Sequence, residues 1–214
     1  LSISHPCRDG RMDERKDFMF SRKDLQRLII PLIVEQFLSI TIGMADTVMV
    51  SVCGEAAVSG VSLVDAINIL MINIFSALAT GGAIVSSQYI GREDLGKACE
   101  AAKQLVLAVF VLSTAIGAIF VFGGPQVLGL LYHDIEADVM ASAESYFFLT
   151  ALSYPFIALY NAGAALFRAM GNSKVSMTIS IVMNCINIGG NALFIFGFDM
   201  GAAGAALATL ISRI

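Results

Sequence analysis

Hydrophobic positions dominate six long stretches, at about 28–52, 60–89, 98–122, 140–167, 175–198 and 201–214, separated by short links such as CGEAAVSG, GREDLGK, RAMGNSK and FDMG. Twenty-five helical residues cover roughly 37 Å, enough to cross a hydrocarbon core of roughly 30 Å with some tilt. The pattern therefore predicts membrane-spanning helices. Gly123, Gly124 and Pro125 are expected to stop the third. The next segment, GPQVLGLLYHDIEADV, is too short to span and reads as a small interfacial helix plus a loop. Pro155 falls inside the fourth stretch, where a membrane helix tolerates proline if neighbours satisfy the freed carbonyl. The sixth, GAAGAALATLISRI, is rich in small residues suited to close helix contact and is expected to be cut short at Ile214. Residues 1–24 are polar, mixed in charge and aperiodic, without the apolar core of a cleaved signal, and read as a disordered leader. The membrane domain is expected over 25–214.

Composition agrees with this reading. Hydrophobic residues make up 57% and charged residues 14% of the chain, against about 25% charged in a soluble domain. Mean hydropathy is +0.79. The thirteen Lys and Arg residues are distributed by side. Seven precede or begin the first span, Arg92, Lys97 and Lys103 follow the second, Arg168 and Lys174 link the fourth and fifth, and Arg213 ends the chain. The alternate links hold only Glu55, Asp134, Glu136, Asp138 and Asp199. Six crossings from a cytoplasmic N-terminus put every basic residue on the cytoplasmic side. Cys7, Cys53, Cys99 and Cys185 lack paired spacing, and His5 and His133 stand alone, so neither a disulfide framework nor a metal cluster is expected. GREDLGKA at Gly91–Ala98 approaches a phosphate-binding loop, but Ala98 replaces the required hydroxyl and the flanks are membrane helices. No nucleic-acid partner and no cofactor is expected.

Polar residues inside the spans carry the functional signal. The first span contains Glu35, Ser39 and Asp46 on one stripe; eleven helical residues return to within about 20° around the helix. An ionised carboxylate in hydrocarbon is costly unless it is paired, protonated or bathed by a polar cavity. Asp46 is therefore taken as the functional centre, facing an internal cavity. On the fifth span Ser176, Ser180, Asn184, Asn187 and Asn191 fall within about 80° of one another, a stripe roughly 22 Å long. Such a stripe serves either interhelical hydrogen bonding or a water- or ion-facing surface. Asp46 and Asn191 both lie about 18 residues from the cytoplasmic end, so they are roughly level. A looser stripe on the fourth span, Tyr146, Thr150, Ser153 and Asn161, suits core packing equally well. Asp65 lies near the outer end of the second span, where either interfacial solvation or a functional role accounts for it.

Four stretches together resemble the multidrug and toxic compound extrusion (MATE) family of secondary transporters. They are Pro31 followed by MADTVMV in the first span, ATGGAIVSSQYIGRED closing the second, LFRAMGNSK between the fourth and fifth, and NIGGNALFIFG with MGAAGAALAT after Asn187. The resemblance implies an all-α fold, with this chain as the N-terminal six-helix lobe of a twelve-helix antiporter whose C-terminal lobe is its partner. It implies a plasma-membrane exporter of drugs or organic cations in exchange for Na⁺ or H⁺, not an enzyme. Asp46, Asn187, Asn191 and Thr209 then match the coupling site, as Na⁺ ligands where sodium is used. Some branches have a second acid where Asn191 stands. Tyr146 and Asn161 match cavity residues, beside the stripe members Glu35, Ser39, Ser180 and Asn184, and Pro31 matches a bend in the first span.

Two other readings compete. A lipid-linked oligosaccharide flippase of related architecture would line its cavity with Arg and Lys for pyrophosphate, and the spans are read as carrying none. A non-transporting membrane scaffold needs no intramembrane carboxylate.

Overall fold

The computed structural model describes residues 22–132 and 135–214, so the leader, His133 and Asp134 lie outside it apart from the last residues of the leader. Among the described residues seven α-helices follow one another: α1 (Arg22–Ser51), α2 (Glu55–Gly91), α3 (Leu95–Leu131), α4 (Ala137–Leu152), α5 (Tyr154–Ala169), α6 (Ser173–Asn191) and α7 (Gly201–Arg213), with a π-helical segment, Ala192–Gly197, after α6. Among the described residues four helices are long and apolar enough to cross a membrane, up to five when the bent pair α4 and α5 is counted as one span. The sixth predicted stretch forms a helix of 13 residues, shorter than a crossing requires.

Two boundaries depart from the sequence expectation. Gly123, Gly124 and Pro125 do not end the third helix, which continues to Leu131. The expected interfacial helix is thus the last turns of α3. Packing holds the extra turns: Leu128 is fully buried in a cluster with Val64 and Phe147, and Tyr132 OH donates to Leu63 O of α2 at 3.1 Å. Gly124 also lets α3 approach α4, since a Cβ there would stand 3.2 Å from Phe147 Cδ1. In the fourth span the chain bends by 47° between Leu152 and Tyr154. Pro155 supplies the cause: it lacks an N–H and its ring collides with the carbonyl four residues earlier, that of Ala151. The Ser153 hydroxyl donates to Thr150 O at 2.7 Å at the same break. Pro31, in contrast, lies inside an unbroken α1.

The interior has two apolar clusters, one around Val64, Leu128, Phe147 and Ala206, the other around Phe75, Val109, Tyr154 and Ala158. Large apolar side chains also cover the outside, including Phe37, Met44, Val48, Leu107, Ile119 and Phe122. Lipid is the solvent that makes such a surface stable. Helices approach closely where glycine permits it. A Cβ on Gly60 would meet the Ala143 backbone nitrogen at 2.9 Å, where α2 crosses α4, and one on Gly190 would meet Ala208 Cβ at 2.9 Å, where α6 meets α7.

α1 is the least embedded helix: only 6% of its apolar window is buried, and it lies mainly along α6. Both helices start from the same side, because Glu35 meets Ser176 near one end and Asp46 meets Asn191 further along. They therefore run parallel, pinned at two polar points.

Candidate functional site: two carboxylates, an asparagine relay and a half-buried arginine

The predicted stripe of α6 is the spine of the site. Asn191 is fully buried and its Nδ2 donates both to Asp46 Oδ1 and, at 3.3 Å, to Asn187 Oδ1. Asn187 Nδ2 in turn donates to Thr209 Oγ1 of α7 at 3.1 Å. Asp46, Asn191, Asn187 and Thr209 thus form one hydrogen-bonded relay across three helices. Among the described residues the ion pairs are Lys97–Asp94 and Arg168–Glu35, so no base neutralises Asp46 at contact distance. Asn191 Oδ1 is buried without a hydrogen-bond partner. A buried amide oxygen normally has one. Carboxylate, amide and hydroxyl oxygens are the donor set that suits a hard cation, so the residues present fit Na⁺ as well as a proton on Asp46. The π-helical segment begins one residue after Asn191, and wide turns of this kind recur at functional sites.

Other stripe residues have different tasks. Glu35 forms an ion pair with Arg168 Nη1 at 3.3 Å and accepts from Tyr160 OH at 2.9 Å and from Ser176 Oγ at 3.1 Å. This places Glu35 in a bonded cluster at the end where α5 meets α6, apart from the Asp46 relay. Asn184 Nδ2 contacts Ser180 Oγ at 3.4 Å within α6, and Ser39 is exposed. Asn161 has a buried Nδ2 without an acceptor. Of the two alternatives for the α6 stripe, Ser176, Asn187 and Asn191 make interhelical hydrogen bonds, while the orphaned Asn191 oxygen leaves capacity for an ion.

A second polar cluster sits beside the relay. Asp65 Oδ1 accepts from Tyr146 OH at 3.2 Å and from Asn68 Nδ2 at 3.4 Å, and Asn68 Oδ1 accepts from Tyr154 OH at 2.8 Å. The interfacial placement inferred for Asp65 is therefore corrected: its carboxylate is bonded to α4 inside the bundle. Arg213 is corrected as well. It does not mark a cytoplasmic end, because its Nη1 donates to the buried Ser153 Oγ at 2.7 Å. Ser153 separates two helices of 16 residues each, halfway along the fourth span. The statement that the spans hold no basic residue fails with it.

The sequence carried partial signals for these residues. Asp65 and Asn68 stand at i and i+3, one face of a helix, and Arg213 lies twelve residues past Gly201, about half a membrane deep. Two surface grooves lie elsewhere. One of about 460 Å³ runs between α3 and α5 past Val106, Phe110 and Leu159, and one of about 550 Å³ is lined by Phe120, Phe148 and Ala203; Asp46 borders neither.

Comparison with known proteins places this geometry. The transporter YisQ of Bacillus subtilis, named as uncharacterised, is 32% identical over 189 residues, covering 86% of this chain and 41% of its own. The probable multidrug resistance protein NorM of Thermotoga maritima is 27% identical over 199 residues, and the multidrug export protein MepA of Staphylococcus saprophyticus 23% over 193. A multidrug resistance MATE family transporter solved in an outward-facing conformation superposes with a TM-score of 0.83 at 22% identity, over 89% of this chain and 42% of its own. The chain thus spans about two fifths of the length of the relatives it matches. The MatE family model matches residues 31–193. With its helices, its fold and most of its length matched in this way, the chain belongs to the MatE family of membrane transporters.

Proposed function

We propose that this chain is the N-terminal lobe of a two-lobe antiporter in the cell membrane, N-terminus cytoplasmic, which exports organic cations or drugs in exchange for Na⁺ or H⁺. The observation that carries the proposal is Asp46: a carboxylate on a membrane helix, held by an asparagine amide and by no base among the described residues. Such a group is costly in hydrocarbon unless a cation or proton visits it. The MepA and NorM relatives, a multidrug export protein and a probable multidrug resistance protein, support the substrate class.

Exchange follows from competition. Asp46 holds either the coupling ion or the exported cation, and each must bind the two cavity orientations with different affinity, since only differential affinity shifts such an equilibrium. Asn191 and Asn187 keep the carboxylate oriented, and Thr209 ties the relay to α7. A scaffold role leaves the charge on Asp46 without a purpose, and a pyrophosphate-binding flippase would need more than the one arginine found at mid-depth among the described residues.

The test is efflux by the full-length transporter in vesicles, with the Na⁺ and pH gradients collapsed separately. Efflux that stops on collapse of one gradient supports the antiporter and names its ion. Efflux indifferent to both overturns it.

A further inference from the structure

We propose that the groove where α3, α4 and α7 meet is a second binding site, which takes a lipophilic organic cation with an aromatic body on the Glu144 carboxylate. The inference goes beyond the antiporter reading, because Asp46 plays no part in it. The groove has a volume of about 550 Å³ and is lined by Phe120 and Pro125 of α3, Glu144, Phe147 and Phe148 of α4, and Ala203 of α7. A cleft of that size, with aromatic walls and few polar groups, has the build of a small-molecule site. Its other polar side chain, Ser145, already donates its hydroxyl to Ala141 O at 3.0 Å. Glu144 is half-buried, and the ion pairs among the described residues, Lys97–Asp94 and Arg168–Glu35, do not include it.

Face and depth set this acid apart from the relay. Glu144 precedes Tyr146 by two residues, about 160° around α4. Tyr146 is turned inward to Asp65, so Glu144 is on the opposite face of the helix. It stands nine residues from Ser153 at the mid-membrane bend. That is roughly 13 Å outward, just inside the edge of a hydrocarbon core of roughly 30 Å. At this end of the spans the described charged residues are Glu55, Glu136, Asp138, Glu144 and Asp199, with no Lys or Arg among them. A cation is therefore the partner the groove's charge calls for. The walls choose its body. Phe148 is 49% exposed, and beneath it the Phe120 and Phe147 rings pack at a centroid distance of 5.2 Å. Aromatic faces attract cations and accept flat apolar groups. A hydrated metal ion would leave those walls unused, and a neutral hydrophobe would leave the carboxylate unmatched. An organic cation with an aromatic body satisfies both.

The plain alternative is that Glu144 reaches past the groove to water and binds nothing. The full-length transporter carrying Asp46→Asn is placed in phosphatidylglycerol nanodiscs, and binding of radiolabelled tetraphenylphosphonium is measured above that of empty nanodiscs. Triphenylphosphine oxide, a neutral molecule with similar rings, is the control. Adding Glu144→Gln weakens tetraphenylphosphonium binding by about tenfold, the order expected for one charge contact near a protein surface, and leaves the neutral control as it was. Phe148→Ala weakens it by about threefold, as expected for an exposed cation–ring contact, and reads the same site should Glu144→Gln fail to reach the membrane. Unchanged affinity in either variant overturns the proposal, and so does an equal loss for the neutral control, which would make the groove merely apolar. A Glu144-dependent affinity present in phosphatidylglycerol but absent in phosphatidylcholine nanodiscs assigns the groove to the choline headgroup and overturns it too. Loss of all specific binding in Asp46→Asn alone places the cation at Asp46, overturning this site and leaving the antiporter reading. Glu144-dependent binding by a parent protein that transports under no gradient does the reverse.

Discussion

Removing Arg168 should destabilise the lobe more than removing its partner Glu35, although both changes break the same ion pair. The pair is 3.3 Å long, with side-chain exposures of 28% for Arg168 and 17% for Glu35. At an effective dielectric constant of about 20, charges at that separation attract by roughly 5 kcal/mol before any desolvation is subtracted. In Arg168→Met the carboxylate stays behind in a half-buried setting, where an orphaned charge costs about 3–5 kcal/mol when fully enclosed. Partial exposure and the remaining donors, Tyr160 at 2.9 Å and Ser176 at 3.1 Å, reduce that cost, to about 2 kcal/mol on the scale of charged hydrogen bonds. In Glu35→Gln the amide oxygen still accepts from one of these hydroxyls, and the Arg168 head can swing toward the membrane surface on its flexible stem, so the loss is about 1 kcal/mol. The double variant leaves no charge unmatched and should cost less than the sum of the single changes. SDS-induced unfolding in mixed micelles, read by the reactivity of the native thiols, gives all three values. Equal losses in the single variants, or strict additivity in the double, would refute the reasoning.

Gly190→Val should force α6 and α7 apart, since even a Cβ there would stand 2.9 Å from Ala208 Cβ; overpacking of this kind costs about 1–3 kcal/mol. It should weaken the Asn187–Thr209 bond and slow transport, whereas Gly189→Ala, with nothing within 4 Å of its Cβ, should behave as the parent in the same melting and uptake assays. Single-cysteine variants test the orientation. Cys53, in the link after α1, should react with an impermeant maleimide from outside intact cells, slowly at neutral pH because burial and then Asp199 push its thiol up. Cys99, near the start of α3, should react only after permeabilisation.

How legible all this was in the sequence depended on whether a residue's depth could be counted from a clear helix end. Asp46 and Asn191 could each be counted from a basic helix boundary, and the two side chains touch. The polar stripe of α6 was visible because helical periodicity gathers Ser176, Asn187 and Asn191 on one face. Arg213 was misplaced for the opposite reason: charge distribution by side treats every Arg as a boundary mark, and this one lies at the level of Ser153. Asp65 looked interfacial because its acceptor role depends on Tyr146, eighty-one residues away in sequence. Gly123, Gly124 and Pro125 read as a stop by local breaker rules; burial of Leu128 and the bond from Tyr132 to Leu63 O, both long-range, override that signal and α3 runs on. Pro155 did mark a break, and the side to which it turns the chain comes from packing against α3, where Gly117 leaves room beside the Ala151 carbonyl.

The central claim is tested most directly by Asp46→Asn in the full-length transporter, reconstituted in vesicles and assayed for gradient-driven uptake of a monocation. Asparagine keeps the shape and can still bond to Asn191, while the charge is lost. The account predicts that uptake falls to the protein-free baseline while the variant stays folded and inserted. Uptake at the parent rate, with the same dependence on the gradient, would contradict it.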